Sequence, residues 1–395
     1  MTARSSFIYD AVRTRIGKYA GGLSAIRPDD LAATVLRSLV DRNPAMDPSS
    51  IDDVIFGNAN GAGEENRNVA RMAVLLGGLP TSVPGATVNR LCGSGMEAVI
   101  EGARAIETGD AVLILAGGVE SMTRAPWVLP KPADGFARGN EVLSSTTLGW
   151  RLVNPAMPAQ WVVSLGEGAE ILADRFSIGR DQQDEFSRAS HQKAAEAWLA
   201  GKFATEVVDV PATDLEMDQS IRPDITMAGL SKLRPVFRKD GSVTAGNASP
   251  LNDGASALIL GDESFGASSG IAPLARIVSR AVSGVDPHLY GIGPVEAAER
   301  ALVKAGIGWS DLGSVELNEA FASQSIACLM SWPDLDPSIV NPYGGAIAIG
   351  HPLGCSGARI LTTLAHRMRA EGTKWGLAAM CIGVGQGIAV VLEGV

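Results

Sequence analysis

The chain repeats itself at a nearly fixed spacing, and this repetition constrains its fold more than any other feature. Val54-Ile-Phe-Gly-Asn-Ala aligns with Val315-Glu-Leu-Asn-Glu-Ala. Cys92-Gly-Ser94-Gly95, a helical pattern and Val112-Leu-Ile-Leu-Ala align with Gly354-Cys-Ser356-Gly357, a helical pattern and Trp375-Gly-Leu-Ala-Ala. The two offsets agree within one residue, which marks a duplicated domain. Inside the first copy, short apolar runs ending in glycine (54–57 and 112–118) alternate with helical spacing. Leu31, Val35 and Leu39 carry that spacing in one segment; Met96, Val99, Ile100, Ala103 and Ile106 carry it in another. Such alternation predicts βαβ units on a buried sheet, an α/β fold.

Residues 121–248 break the pattern. They hold four of the seven tryptophans (Trp127, Trp150, Trp161, Trp198) and proline-rich pieces around helical patterns at 166–176 and 180–199. This segment reads as an insertion that covers a site. The expected organisation is an N-terminal half at 1–120 completed by 249–270, an inserted loop domain at 121–248, and a C-terminal half at 271–395.

Acidic residues outnumber basic ones by 43 to 33, a net charge of −10, which argues against a nucleic-acid footprint. An anionic small molecule held by a local basic cluster remains compatible. The four cysteines (Cys92, Cys328, Cys355, Cys381) form no CxxC and the four histidines are scattered, so no metal site is expected. Pro337 to Ala358 lacks formal charge but contains Pro342, Pro352 and five glycines, and reads as a loop rather than a membrane helix. With no apolar secretion core in the first ten residues, the expectation is a soluble cytoplasmic protein in a reducing compartment.

Four glycine-flanked segments carry candidate chemistry. In Asn89-Arg-Leu-Cys92-Gly-Ser-Gly-Met the cysteine opens a helix, so the helix dipole favours its thiolate and free N–H groups of the first turn can receive an oxyanion. A buried structural cysteine is the competing reading. His351, between Gly350 and Pro352, is a constrained imidazole suited to act as a base for a thiol, or a hydrogen-bonded loop histidine. Cys355 in the same block reads as core packing. Cys381 ends a strand in Met380-Cys381-Ile-Gly383-Val-Gly385-Gln-Gly387, as a second acid/base or a buried thiol. Asn318 and Glu319 follow a strand in Glu316-Leu-Asn318-Glu319-Ala-Phe321, where they orient a water or cap a helix. Two thiols and a rigid histidine without GxSxG point to acyl transfer through a thioester.

These four blocks, in this order, resemble the signature blocks of the thiolase family. Arg13-Thr-Arg-Ile-Gly-Lys, Ala116-Gly-Gly-Val-Glu-Ser-Met, Lys232-Leu-Arg-Pro and Thr244-Ala-Gly-Asn-Ala-Ser extend the resemblance over essentially the whole chain. It implies the thiolase fold: duplicated βαβ-rich halves in a five-layer αβαβα arrangement with an inserted loop domain. It also implies roles. Cys92 would be acylated, and His351 would take its proton and form an oxyanion hole with a water on Asn318. Cys381 would protonate the departing acetyl-CoA enolate, and the N–H groups of Cys92 and Gly383 would form a second hole. Coenzyme A and acyl-CoA would be substrates, with no prosthetic group, and Arg222 and Ser249 would contact CoA. A homodimer or homotetramer is implied, with no nucleic-acid or membrane partner.

The segments at 57–71, 146–155 and 383–385 look similar to the 3-oxoadipyl-CoA branch, whose free terminal carboxylate would want a basic partner such as Arg151 or Arg124. Leu165, Tyr290, Ala320 and Phe321 would line the acyl pocket. Three positions depart from the usual family pattern: Ser164-Leu-Gly-Glu-Gly-Ala-Glu stands for Met-Gly-x-Thr-Ala-Glu, Tyr290 for methionine, and Pro250 for glycine. Rival readings are an acetoacetyl-CoA or broad β-oxidation thiolase, a catalytically silent CoA- or lipid-binding relative, and a redox protein pairing Cys92 with Cys381.

Overall fold

The computed structural model describes residues 4–132, 135–136 and 138–395. Among them, the strands of three residues or more are β1 (Ser6–Thr14), β2 (Asp53–Gly57), β3 (Ala86–Val88), β4 (Leu113–Ser121), β5 (Asn252–Gly261), β6 (Ala275–Gly284), β7 (Ser314–Leu317), β8 (Trp375–Ile382) and β9 (Gln386–Gly394). The principal helices are α1 (Pro28–Arg42), α2 (Val69–Leu76), α3 (Ser94–Thr108), α4 (Leu165–Arg175), α5 (Arg180–Leu199), α6 (Gly293–Ala305), α7 (Ala322–Ser331) and α8 (Leu353–Glu371).

The strands hydrogen-bond in the order β7-β8-β9-β6-β1-β5-β4-β2-β3. Two similar half-sheets meet where Ser6–Ile8 of β1 pair antiparallel with Ala275–Ile277 of β6. In the first half β3, β2 and β4 run parallel, followed by antiparallel β5 and β1. In the second, β7 and β8 run parallel, followed by antiparallel β9 and β6. Val340 bridges Val315 in parallel, where β3 pairs β2 in the first half. The duplication read from residue spacing is therefore also a duplication of strand order. The halves differ in one connection: residues 383–385 join β8 to β9, whereas residues 122–251, carrying α4 and α5, join β4 to β5.

Five layers follow from which apolar faces meet. Met96, Val99 and Ile100 of α3 and Ile360, Leu361 and Leu364 of α8 share a core with Ile114 and Leu258 of one half-sheet and Met380 and Val390 of the other. On the outer face of the first half-sheet, Val35, Leu39 and Val69 cover Val54, Phe56 and Leu115. Ala301, Leu302 and Trp332 cover Val315, Leu377 and Val391 of the second. Strands covered on both faces read as the unbroken apolar runs seen in the sequence. Each fully buried Leu or Ile contributes about 1.5–3 kcal/mol.

The two central helices cross through glycine. A Cβ on Gly95 would stand 2.6 Å from the Gly354 carbonyl oxygen, and one on Gly357 would stand 2.3 Å from Met96 N. Backbone-to-backbone contact of this kind tolerates no side chain. It brings the N-terminal ends of α3 and α8 together, with Cys92 just ahead of one and His351 just ahead of the other.

The long connection is locked to the core by a buried ion cluster. Arg13 of β1 donates from Nε to Glu206 at 2.5 Å and from Nη1 to Asp218 at 2.8 Å, with all three side chains buried.

One expectation fails. Residues 337–358 are not a continuous loop: Ala346–Ile349 form a helical turn and α8 begins at Leu353. Ala348 and Ile349 are buried against Ile16 and Ala194, and this packing overrides the local glycine and proline signals. No helix among the described residues is long and apolar enough to cross a membrane.

Candidate active site

Cys92 lies on the short turn Leu91–Gly93 that feeds α3. The turn is fixed locally: Asn89 Oδ1 accepts from Leu91 N at 2.9 Å, and Ser94 Oγ donates to the Leu91 carbonyl at 2.6 Å. Leu91 itself holds a left-handed φ of 49°, a costly conformation for a leucine that the surroundings must impose. The helix start favours the thiolate, as its sequence position suggests, but that pull is outweighed. Burial dominates and pushes the Cys92 thiol up to about 11, while the N–H groups of Gly383 and of Cys92 itself, aimed at the sulfur, pull the other way.

His351 follows Gly350, whose φ of +120° suits glycine. Its backbone N–H donates to Asn252 Oδ1 at 2.8 Å. The ring Nδ1 lies 2.6 Å from Ser356 Oγ, and that hydroxyl donates to the Pro352 carbonyl at 2.9 Å. With the serine proton so placed, Nδ1 carries the ring hydrogen and Nε2 keeps a free lone pair. Burial, reinforced by the Arg359 charge, lowers the imidazole to about 3, so it is neutral in the physiological range. Asn318 stands beside the ring, Nδ2 at 3.5 Å from Nδ1; its Oδ1 is buried without a partner among the described residues.

Ser356 is thus a positioning residue for the imidazole, and the sequence reading did not single it out for that role. Ser356→Ala is expected to lower kcat by about 10- to 100-fold with KM little changed, through loss of the productive tautomer. Ser356→Thr should restore most of the rate. A pH–rate profile of Ser356→Ala with wild-type height and shape would refute the assignment.

Cys381, the penultimate residue of β8, is buried, and its thiol is held well above the ordinary cysteine range, first by burial and then by the repulsion a second thiolate would meet beside Cys92. One cavity is lined by Cys92, Ser249, Tyr290, Ala320, Phe321, His351, Cys381 and Gly383, with Leu165 on its wall. Distant segments thus deliver two thiols, an imidazole and two N–H donors to one space.

Two of the departures from the family pattern are coupled. A Cβ on Gly168 would stand 2.8 Å from the Tyr290 ring, so the tyrosine fits because residue 168 has no side chain. The Tyr290 hydroxyl donates to the Leu165 carbonyl at 2.9 Å.

Arg222 lies apart from the thiols, in an adjoining cavity of about 210 Å³ with Lys18 and His191; Pro250 borders both spaces. The Arg222 N–H donates to His191 Nδ1 at 3.2 Å. Neither Lys18 nor His191 was singled out by spacing. Arg151 lines a cavity of about 390 Å³ that also reaches Cys92 and Gly383. Arg124 does not: it is paired with Glu64 in a separate cleft of about 630 Å³.

Residues 6–264 match the family model described as Thiolase, N-terminal domain, and residues 271–394 match Thiolase, C-terminal domain. The chain belongs to the thiolase family. It is 50% identical over 400 residues, 99% of each chain, to the Escherichia coli (strain K12) 3-oxoadipyl-CoA/3-oxo-5,6-dehydrosuberyl-CoA thiolase. It is 50% identical over 398 residues, again 99% of each chain, to the beta-ketoadipyl-CoA thiolase of Pseudomonas putida. The crystal structure of human mitochondrial 3-ketoacyl-CoA thiolase in complex with CoA superposes with a TM-score of 0.93 at 39% identity, covering 99% of this chain and 98% of that one. The five-layer arrangement is thus the thiolase fold, and this thiolase is an acyltransferase.

Proposed function

We propose that this thiolase cleaves 3-oxoadipyl-CoA with free CoA, giving succinyl-CoA and acetyl-CoA, through an acyl group carried on Cys92. The observation that carries the mechanism is the single cavity lined by Cys92, His351, Cys381 and Gly383. The relatives named for this substrate, half identical over their full length, support the choice of acyl group.

His351 Nε2 takes the Cys92 proton as the sulfur attacks the 3-oxo carbon. The N–H groups of Cys92 and Gly383 receive the oxyanion. The bond between C2 and C3 then breaks, leaving succinyl on Cys92 and an acetyl-CoA enolate. Its oxygen is met by the protonated His351 and a water on Asn318, and the Cys381 thiol protonates its C2. Free CoA then gives its thiol proton to the Cys381 thiolate and attacks the acyl-Cys92, and His351 returns the proton to the departing Cys92 sulfur. Arg222, Lys18 and Ser249 line the path proposed for CoA.

Thiolysis by the wild type is expected to favour 3-oxoadipyl-CoA over acetoacetyl-CoA by about tenfold or more in kcat/KM, because a bound carboxylate is lost in the shorter substrate. If acetoacetyl-CoA is cleaved as well or better, the assigned acyl group is wrong.

A further inference from the structure

We infer that Arg151 binds the free carboxylate at the far end of the acyl chain. The inference rests on the reading of this protein as a thiolase for a dicarboxyl substrate.

From Cys92 the space runs in two directions. One passes Ser249 and Pro250 towards Lys18 and Arg222, two cations suited to the phosphates of CoA. The other opens past Leu148 and Leu353 into a cavity whose lining includes the exposed Arg151. Arg151 is the only lysine or arginine on that second path among the described residues, and it makes no ion pair or side-chain hydrogen bond there. Other arginines nearby are already paired: Arg90 with Glu97 and Arg124 with Glu64. Glu120, the one carboxylate lining this path, does not claim Arg151. Its oxygens accept from the N–H groups of Ala59, Asn60 and Gly354.

The loop bearing Arg151 is braced. Trp150 Nε1 donates to the Val163 carbonyl at 3.0 Å, and Asn60 Nδ2 ties the rim to Thr146 Oγ1 at 3.0 Å. At the thiol end the Tyr290 hydroxyl is already bonded to the Leu165 carbonyl and is not free for the terminal carboxylate. A terminal carboxylate is best met by a cation free of other partners, and a guanidinium supplies two parallel N–H bonds. A chain of the same length ending in methyl gains nothing from Arg151. The residue would therefore set acyl specificity without touching the reacting atoms.

The test compares 3-oxoadipyl-CoA with 3-oxohexanoyl-CoA, which keeps the chain length and replaces the carboxylate by methyl. Arg151→Gln is expected to lower kcat/KM for 3-oxoadipyl-CoA by roughly 10- to 100-fold, mainly through KM. The same variant should change the 3-oxohexanoyl-CoA value by less than about threefold and leave the KM for CoA unchanged, and Arg151→Lys should retain part of the preference. Equal losses on both substrates, or a raised KM for CoA, would assign Arg151 to CoA or to loop structure and overturn the proposal. An unchanged Arg151→Gln in an enzyme that prefers 3-oxoadipyl-CoA overturns the proposal alone. A wild type that prefers 3-oxohexanoyl-CoA overturns the substrate reading, and this inference with it.

Discussion

Cys92→Ala is expected to lower 3-oxoacyl-CoA cleavage by at least about 10⁴-fold, because it removes the sulfur that carries the acyl group and leaves Cys381 only its acid/base role. Stability should change by less than about 1 kcal/mol, since only a sulfur is removed and the hydrogen bonds of the Leu91–Gly93 turn do not use it. Turnover and thermal unfolding, measured on the same preparation, separate loss of chemistry from loss of fold. The wild type carries a matching pH prediction. With the thiol near 11 and the imidazole near 3, Cys92 is protonated and His351 neutral across the whole range between. The rate of Cys92 acylation at low substrate should then show no inflection from this pair between about pH 5 and pH 9. Alkylation by iodoacetamide should keep rising with pH through that range, as the thiolate fraction grows. An alkylation plateau below pH 8 would mean a preformed thiolate and would overturn this account. Stability carries the opposite sign of information. His351 is held below its unfolded value of about 6.5, so its contribution is complete above that value and is lost as pH falls from there towards 3.

Much of this arrangement was legible in residue order because it depends on period and repetition. The helical spacing at 94–108 and 180–199 coincides with α3 and α5; α3 buries an apolar face, whereas α5 buries Gln183, Asp184, Ser187 and His191 beside its alanines. The strand order repeats because the two halves share the same apolar runs. Glycines flanking the cysteines and His351 marked the blocks that meet at the cavity, although spacing alone could not show that they meet. What stayed hidden depends on three-dimensional neighbours. Helix-terminus reasoning favoured a thiolate at Cys92, but it cannot count the atoms that desolvate the sulfur. Gly168 and Tyr290 looked like two unrelated departures until the ring was found in the space a side chain at 168 would fill. The sequence offered both Arg151 and Arg124 to a carboxylate; folding separates them, pairing Arg124 with Glu64 in another cleft and placing Arg151 on the cavity that reaches Cys92.

Gly357→Ala is expected to damage both fold and rate, for one geometric reason. The added methyl would stand 2.3 Å from Met96 N, inside the contact between α3 and α8, and a backbone atom cannot swing aside as a side-chain tip can. The helices must separate, at about 1–3 kcal/mol of stability. Gly95→Ala makes the reciprocal intrusion, 2.6 Å from the Gly354 carbonyl oxygen and 2.8 Å from Ala358 N. Cys92 precedes one of these helices and His351 the other, so separation moves the thiol and the imidazole apart. A displacement near 1 Å should lower kcat by about 10²-fold even in the fraction that stays folded. Gly284→Ala provides the control: nothing lies within 4 Å of its added Cβ, and its stability should stay within about 0.5 kcal/mol of wild type. Melting temperature and kcat measured for the three variants decide the matter. If Gly357→Ala unfolds early but its folded fraction keeps the wild-type kcat, the glycine crossing serves packing alone, and the registration of thiol against imidazole must come from the turns at Leu91 and Gly350.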